Sequence, residues 1–487
     1  MPRSRDGRVR TNRPWVRRAF LALTTFALSA TTMALGLIAT GMNPQTAIHS
    51  ALACASLLGT AVISYVTWPN RWNILAHSQL AFGVVAYIIP ILFLRGLENL
   101  SVDVVGLYTS VLTVGAVASL TGTVIGGAVS DHPSVWRALS SILGRAQSQA
   151  HTLLPRRTAL ISIGALALVF FSFAVMGFIP ALAEDPYAAK FFRGEYAESY
   201  SPVALPYRVG TSLLAVLVPL LGMYALWRRG WVWLALLVGA VGTLLLTLQR
   251  EPALSGLLIA AGVAIALRGR YMAVYLIALI AVYFAGSASY FLLAALGIGS
   301  FSLASGPTGL LESVAAGAPD VADHTLFLRF WTEDPVYADG RTFIGGLIPS
   351  GFEWNPAVWT LAVTNPGADI STIPSGGFRL PSALWGYLNF AWPGVILVSL
   401  VIGFATGILA ATAARYFDST PPVLLRPTVT ERRRAQEVGV SYLLYVATIE
   451  VVNQAASLSY VTVIQGAVLV ALLLVPRVRV LDGRPTP

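Results

Sequence analysis

The sequence predicts an all-α polytopic membrane protein, on three observations. Hydrophobic residues make up 56% of the 487 and charged residues 11%, with a mean hydropathy of +0.71; soluble domains carry about 25% charge. Apolar runs of about 18 residues or more recur along most of the length, each able to cross a hydrocarbon core about 30 Å thick. Most of the basic residues sit in short stretches between those runs, on alternate turns of the chain.

About twelve spans are expected, near 19–41, 46–68, 74–94, 101–129, 158–183, 208–227, 231–248, 252–267, 271–294, 387–413, 438–457 and 459–476. Alternate threading puts both termini on one side. That side collects Arg3 to Arg18, Arg71, the 130–157 loop, Arg228–Arg229, Arg268–Arg270, the 415–437 loop and the tail, 24 of the 32 Lys and Arg, against 8 opposite. The positive-inside rule makes it cytoplasmic, which implies the cytoplasmic (inner) membrane of a bacterium. The organisation is then a basic cytoplasmic N-terminus (1–18), spans one to nine (19–294), a large external loop, partly helical (295–386), spans ten to twelve (387–476) and a cytoplasmic tail (477–487). The first apolar run is too long for a signal h-region and has no clear cleavage site, so it reads as a span.

Composition also excludes functions. The net charge of +10 comes from arginines in short loops and reports topology, so no nucleic-acid partner is expected. Cys54, the only cysteine, leaves no intramolecular disulfide and no thiolate metal site, and reads as a small buried apolar residue. Lys190 is the only lysine, a bias towards arginine that fits a GC-rich bacterial genome.

Two external segments depart from a simple bundle. Residues 184–207 carry Tyr, Phe, Lys190, Arg193, Glu195 and Glu198. Residues 295–386 form a connection far longer than a structureless loop normally is, which marks it as functional. Within it VADHTLFLRFW (321–331) has apolar residues at helical spacing and is expected as a helix along the membrane surface. Glu184-Asp185-Pro186 and Glu333-Asp334-Pro335 read as turn chemistry. No whole-chain repeat is visible, which argues against an inverted-repeat transporter.

The candidate chemistry begins with the external arginines Arg95, Arg208, Arg250, Arg329, Arg341 and Arg379. Arginine at mid-membrane costs about 2.5–3.5 kcal/mol on insertion scales. Arg250 lies in LLLTLQREPALSGLL, between two spans with almost no loop. It reads either as a snorkelling turn paired with Glu251 or as a guanidinium facing an anionic headgroup, whose oxygens its planar fork matches. His324 and Glu353, with Asp323, Glu333, Asp334 and Asp339, are candidate bases for a sugar hydroxyl, or solvated loop residues. Glu450, with Asn453 and Gln454 on the same helix face, reads as a functional intramembrane acid or an interhelical hydrogen-bonding cluster. His77 with Gln79 reads as polar packing. There is no DxD motif and no cluster at metal spacing, so neither metal nor cofactor is expected.

Residues 340–397 carry GRTFIGGLIPSGFEWNP and SGGFRLPSALWGYLNFAWPGVIL. These resemble the two external blocks of the O-antigen polymerase (Wzy-type) oligosaccharide repeat-unit polymerases, a "G-x-T-y … I-P … K-P" block and a "G-G … G-E-x-Y-x-N-F-G-x-x-G" block that opens the next span. Gly340, Thr342, Phe343, Ile348, Pro349, Pro356, Gly376, Gly377, Tyr387, Asn389, Phe390 and Gly394 match. The LTLQREPALSGLL segment resembles the family's "s-R-g-x-l-l" turn and puts Arg250 on its arginine. The family's Glu before Tyr, Lys before Pro and Gly after Asn-Phe are Trp385, Asn355 and Ala391 here, and Ser350 stands where a basic residue often follows Ile-Pro.

The resemblance implies a metal-independent glycosyltransferase that transfers a polyprenyl-diphosphate-linked saccharide chain to a hydroxyl of a lipid-linked repeat unit at the outer membrane face. Its partners would be polyprenyl-diphosphate-linked oligosaccharides, membrane lipids, a flippase and chain-length regulators. Arg250, Arg341, Arg379, His324 and Glu353 would be catalytic; Arg208, Arg329, Gly376, Gly377, Trp385, Tyr387 and Asn389 would bind substrate. Trp385, Tyr387, Phe390 and Trp392 read as an aromatic wall for sugar faces or as an interfacial belt. A glycan ligase of the same superfamily, a twelve-span transporter or lipid flippase, and a non-catalytic subunit of a glycan assembly system are the rival readings.

Overall fold

The structure, a computed structural model, describes residues 14–67, 71–94, 100–150, 153–228, 230–295, 310–347, 353–370, 373, 376–418, 420–423 and 427–474. Arg3 to Arg13, Arg95, Arg229, Ile348, Pro349, Ser350 and the 477–487 tail lie outside them.

The described residues are helical, joined by turns and one isolated bridge between Gly346 and Ser459, with no strand among them. In chain order the helices are α1 (Pro14–Ala39), α2 (Pro44–Thr67), α3 (Ile74–Gly83), α4 (Ile89–Phe93), α5 (Val102–Ser130), α6 (Pro133–Gln149), α7 (Leu153–Met176), α8 (Pro186–Phe191), α9 (Tyr196–Tyr200), α10 (Ala204–Arg228), α11 (Trp231–Leu246), α12 (Arg250–Arg268) and α13 (Met272–Ala295). After these come α14 (Leu310–Gly317), α15 (Pro319–Glu333), α16 (Arg341–Ile344), α17 (Pro356–Thr364), α18 (Ser382–Asp418), α19 (Val429–Asn453) and α20 (Tyr460–Leu474). Among the described residues seven helical stretches are long and apolar enough to cross a membrane: Ile74–Phe93, Val102–Ser130, Leu153–Met176, Tyr196–Arg228, Arg250–Arg268, Ser382–Asp418 and Val429–Ser457. Phe26–Ala39, Trp231–Leu246, Met272–Ser287 and Thr462–Leu472 are apolar but shorter. The chain is thus an all-α, multi-pass membrane protein.

Two apolar cores hold the bundle. The larger gathers Leu214, Leu217, Leu221 and Met223 of α10 with Val263 and Leu267 of α12 and Leu443 and Leu444 of α19. The second joins Val105, Tyr108 and Leu112 of α5 to Val321, Phe327 and Leu328 of α15, Trp359 of α17 and Leu384, Trp385 and Leu388 of α18. The 295–386 segment is therefore fused to the bundle. Its helix α15 covers the expected 321–331 stretch and is packed into the bundle on one face, with Val321, Phe327 and Leu328 fully buried in the core shared with α5 and α17. The 130–157 loop is likewise mostly helix, with α6 packed on α19.

The tightest helix pair is α5 with α18, and its sequence cause is two facing small-residue motifs. Gly122 and Gly126 lie over the carbonyls of Leu400 and Phe404, while Gly403 and Gly407 lie over those of Ser119 and Thr123. A Cβ at Gly126 or Gly403 would stand 2.1 Å from the opposing oxygen, so only glycine allows this approach.

Helix α18 starts at Ser382, five residues before the expected span, and breaks at Phe390 (φ −140°) and Ala391 (φ 52°). Pro393 lies just beyond the break: it has no N–H to donate back to the carbonyl four residues earlier and its ring crowds that carbonyl, so the helix does not run through unbroken. The two halves fold back so that Gly386 and Gly394 touch, a Cβ on Gly394 falling 2.0 Å from the Gly386 carbonyl. Pro90 similarly sits behind a π-turn over Val84–Ile88 that interrupts α3–α4.

Candidate functional site

The site is assembled around the non-helical segment 376–381 that precedes α18. Gly377 has φ +81°, and a Cβ there would meet the Ala357 carbonyl at 2.3 Å, so both backbone conformation and space demand glycine. Phe378 N–H donates to Thr360 Oγ1 at 3.0 Å, which docks the segment on α17. Exposed Gly376 faces the Phe191 ring at the end of α8. The glycines thus bring the 376–381 segment between α8 and α17.

Arg379 is then held from both ends. Its carbonyl accepts from His324 Nε2 at 2.8 Å. Its guanidinium bonds the Glu251 carboxylate at 2.7 Å, across 128 residues. Arg250 and Glu251 open α12, after Gln249 at its N-cap and Leu248 in the left-handed region (φ 58°). Glu251 therefore meets Arg379, where the sequence suggested a local pair with Arg250.

Lys190, at the end of α8, is the third cation. Burial first, then the nearby charges of Arg250 and Arg379, hold its ammonium below the ordinary lysine value. Lys190 is thus within electrostatic reach of both Arg250 and Arg379, the latter paired with Glu251. Arg193 and Arg208 form a neighbouring pair: burial, then Arg208, lower the Arg193 value, and Asp369 opposes them. Arg208 Nε donates to Tyr200 Oη at 2.6 Å.

His324 is fully buried, with both ring nitrogens engaged. Because Nε2 faces a carbonyl, it carries the hydrogen, and Nδ1 accepts from Tyr108 Oη at 3.0 Å. Burial pushes its pKa down to about 4, opposed by the bond to Arg379. It is neutral at pH 7 and acts as a strut under Arg379. One turn earlier on the same helix face stands Asp320, half-buried; burial raises its carboxyl, Arg379 opposes that and Glu251 adds to it. Burial and the neighbouring Asp320 raise Asp323 to about 6.

The remaining expected site residues separate from this group. Arg341 stacks on Trp354 at 4.5 Å and pairs with Asp339 at 3.7 Å. Glu353 accepts from Trp354 Nε1 at 2.8 Å, so these four make a polar patch of their own. Arg329 is on the exposed face of α15. Asn389 is buried and clamps α16 to α18, accepting from Gly340 N and Thr342 Oγ1 and donating to Trp385 O. Trp385 is 2% exposed and Tyr387 9%, so neither ring is a wall or a belt; both pack beneath α15 and α17. Phe390 and Trp392 are exposed.

Lys190, Arg193 and Asp320 are the residues that sequence reasoning left without a role. The first two had a signal, cations interleaved with aromatics in YAAKFFR. Asp320 had only its place in the first turn of a helix.

No family model, curated protein or solved structure matches the chain.

Proposed function

We propose that the chain is an integral-membrane glycan polymerase of about twelve spans. It transfers a polyprenyl-diphosphate-linked saccharide chain to a hydroxyl of a lipid-linked repeat unit at the outer face of a bacterial cytoplasmic membrane. The observation that carries this reading is the gathering of Lys190, Arg250 and Arg379 beside Glu251, in the segments whose motifs resemble the polymerase family.

The chemistry asks little beyond such a group. The glycosidic carbon–oxygen bond to the diphosphate breaks, a bond to the acceptor oxygen forms, and the hydroxyl proton leaves. Diphosphate departs as an anion, and fixed cations at a low-water boundary stabilise the charge that develops on it. Arg250 and Arg379 supply bidentate donors and Lys190 a point charge. The proton goes to a carboxylate. With His324 committed to Tyr108 and Arg379, Asp320 is the acid best placed for that role, next to Arg379. Arg341 and Glu353 belong to a separate patch and fit an oligosaccharide contact better than bond-breaking.

The test is deletion of the gene followed by sizing of envelope glycans. Single repeat units without long chains support the polymerase. Full-length chains lacking their final attachment would point to a ligase, and unaltered glycan with changed solute uptake to a transporter.

A further inference from the structure

A cavity of about 110 Å³ lies inside the bundle, away from the cation group, and is lined by α2, α3, α5, α18 and α19. Its polar lining includes Thr60, Asn73 at the α3 N-cap, Thr123, Thr406, Tyr445 and Asn453. Thr123 stands seven residues before the end of α5 and Thr406 twelve before the end of α18, about 10 and 18 Å along their axes. Both helices are long and apolar enough to span a membrane, so the cavity sits at membrane depth. Polar side chains at that depth face one another or water.

The lining is polar without being charged: no Asp, Glu, Lys, Arg or His stands among the described lining residues. Thr60 and Thr123 donate to the Ser56 and Ser119 carbonyls, each at 2.8 Å, so what they present to the cavity is oxygen. Asn73 Nδ2 and Tyr445 Oη are buried and have no partner among the described residues. Tyr445 is only 7% exposed, and a buried hydroxyl or amide left unbonded is costly. Unbonded donors do not ligate a cation, and a bare anion would meet no positive charge here. A lipid tail would leave both donors unbonded. An uncharged molecule carrying oxygens fits, and at ~30 Å³ per water there is room for about four.

One end of the cavity is closed by aromatic rings. Trp72 lies 5.3 Å from Phe417 and 5.1 Å from Tyr442, centre to centre, and all three are at most 3% exposed. Trp72 Nε1 donates to the Phe417 carbonyl at 3.0 Å, and the Tyr442 hydroxyl donates to the Trp72 carbonyl. The Arg71 guanidinium covers the Trp72 ring at 5.3 Å and bonds the Thr420 carbonyl. The opposite end is polar and partly exposed. There Thr406 bonds Asn453 at 3.4 Å, both half-buried, and Glu450, one turn before Asn453, is exposed.

We infer that this cavity is a hydrated chamber at membrane depth, a binding site for small uncharged hydrogen-bonding molecules with water as the resident, and that Trp72, Phe417 and Tyr442 are the seal that keeps it from becoming a pore. Tyr445 and Asn73 supply the donors, and Thr60 and Thr123 the acceptors. The chamber fills from the Asn453 end. The inference is independent of the polymerase reading, since no residue of the cation group lines the chamber.

The experiment reads thiol reactivity and solute flux on the full chain. Cys54 is fully buried, so the wild type gives the background rate. A thiol attacks as its thiolate, which forms in water and not in hydrocarbon. Thr123→Cys faces the chamber, and Val124→Cys, at a position 48% exposed on the same span, is the control. In lipid nanodiscs 2-aminoethyl methanethiosulfonate is expected to modify Thr123→Cys at least about tenfold faster than Val124→Cys. Thr60→Cys, on a different helix, should match Thr123→Cys. Equal slow rates at all three positions mean a dry or lipid-filled cavity and overturn the chamber. For the seal, the probe is urea in proteoliposomes. Wild type and Trp72→Phe should be as tight as protein-free vesicles, and Trp72→Ala should pass urea. In Trp72→Ala with Thr123→Cys, the thiol reagent should stop that flux. Urea passing through the wild type, a tight Trp72→Ala, or a leak that the reagent leaves untouched overturns the seal.

Discussion

His324 donates from Nε2 to the main-chain carbonyl of Arg379 at 2.8 Å, while its Nδ1 accepts from Tyr108. One buried imidazole thus links α5, α15 and the segment that carries a site cation. Its role is positional. His324→Phe is expected to cost about 1–3 kcal/mol, since it leaves the buried Tyr108 hydroxyl and Arg379 carbonyl unsatisfied, and to weaken prenyl diphosphate binding. His324→Gln restores a donor and should recover most of both. A direct proton-transfer role would instead leave His324→Gln folded, binding normally and inactive. Thermal unfolding and ligand titration of the two variants distinguish these outcomes.

The same imidazole sets a pH response. Its pKa falls from 6.5 unfolded to about 4 folded, so the unfolded chain binds more protons between those values. Stability is full above pH 6.5 and is lost as pH falls towards 4, by up to about 3 kcal/mol. Asp323 works the other way: raised from 3.8 to about 6, it contributes stability as pH falls from 6 to 3.8. Asp323→Asn is therefore expected to steepen the acid loss and His324→Gln to flatten it. Melting midpoints of the wild type and both variants across pH 4–7 give the comparison.

The Arg379–Glu251 pair is 84% and 69% exposed. Such pairs contribute about 0–1 kcal/mol to stability, so Glu251→Gln should barely move the melting midpoint. It should, however, tighten anion binding, because it removes the carboxylate that competes for the guanidinium. Weaker binding in Glu251→Gln would mean that the acid orients Arg379 for its ligand.

Gly403 admits no side chain, since a Cβ would stand 2.1 Å from the Ser119 carbonyl. Gly403→Leu is expected to force α5 and α18 apart and cost at least about 1–3 kcal/mol. Gly164 has open space at its Cβ position, so Gly164→Ala serves as the control and should be neutral. Folded yield in detergent reads both.

The membrane class and most helix positions were legible in the sequence, because long apolar runs are strong local signals. The α15 helix was legible too, from its apolar spacing. Its burial was not, since nothing within 321–331 shows that α5 and α17 pack against it. The Arg379–Glu251 bond joins residues 128 apart, and periodicity carries no such pairing. Trp385 looked interfacial because tryptophans at this depth usually are, and only the reversal at Phe390–Ala391 tucks it inside. The GxxxG motifs at Gly122–Gly126 and Gly403–Gly407 are plain in the sequence, but their pairing is visible only in three dimensions.

The central claim is that cations at the outer boundary grip a diphosphate-bearing lipid while saccharides are joined. The most direct measurement is glycan length in cells whose only copy carries Arg250→Ala and Arg379→Ala, with the variant present in the membrane at wild-type level. The account predicts single repeat units and no long chains. Wild-type chain lengths at equal protein level would contradict it.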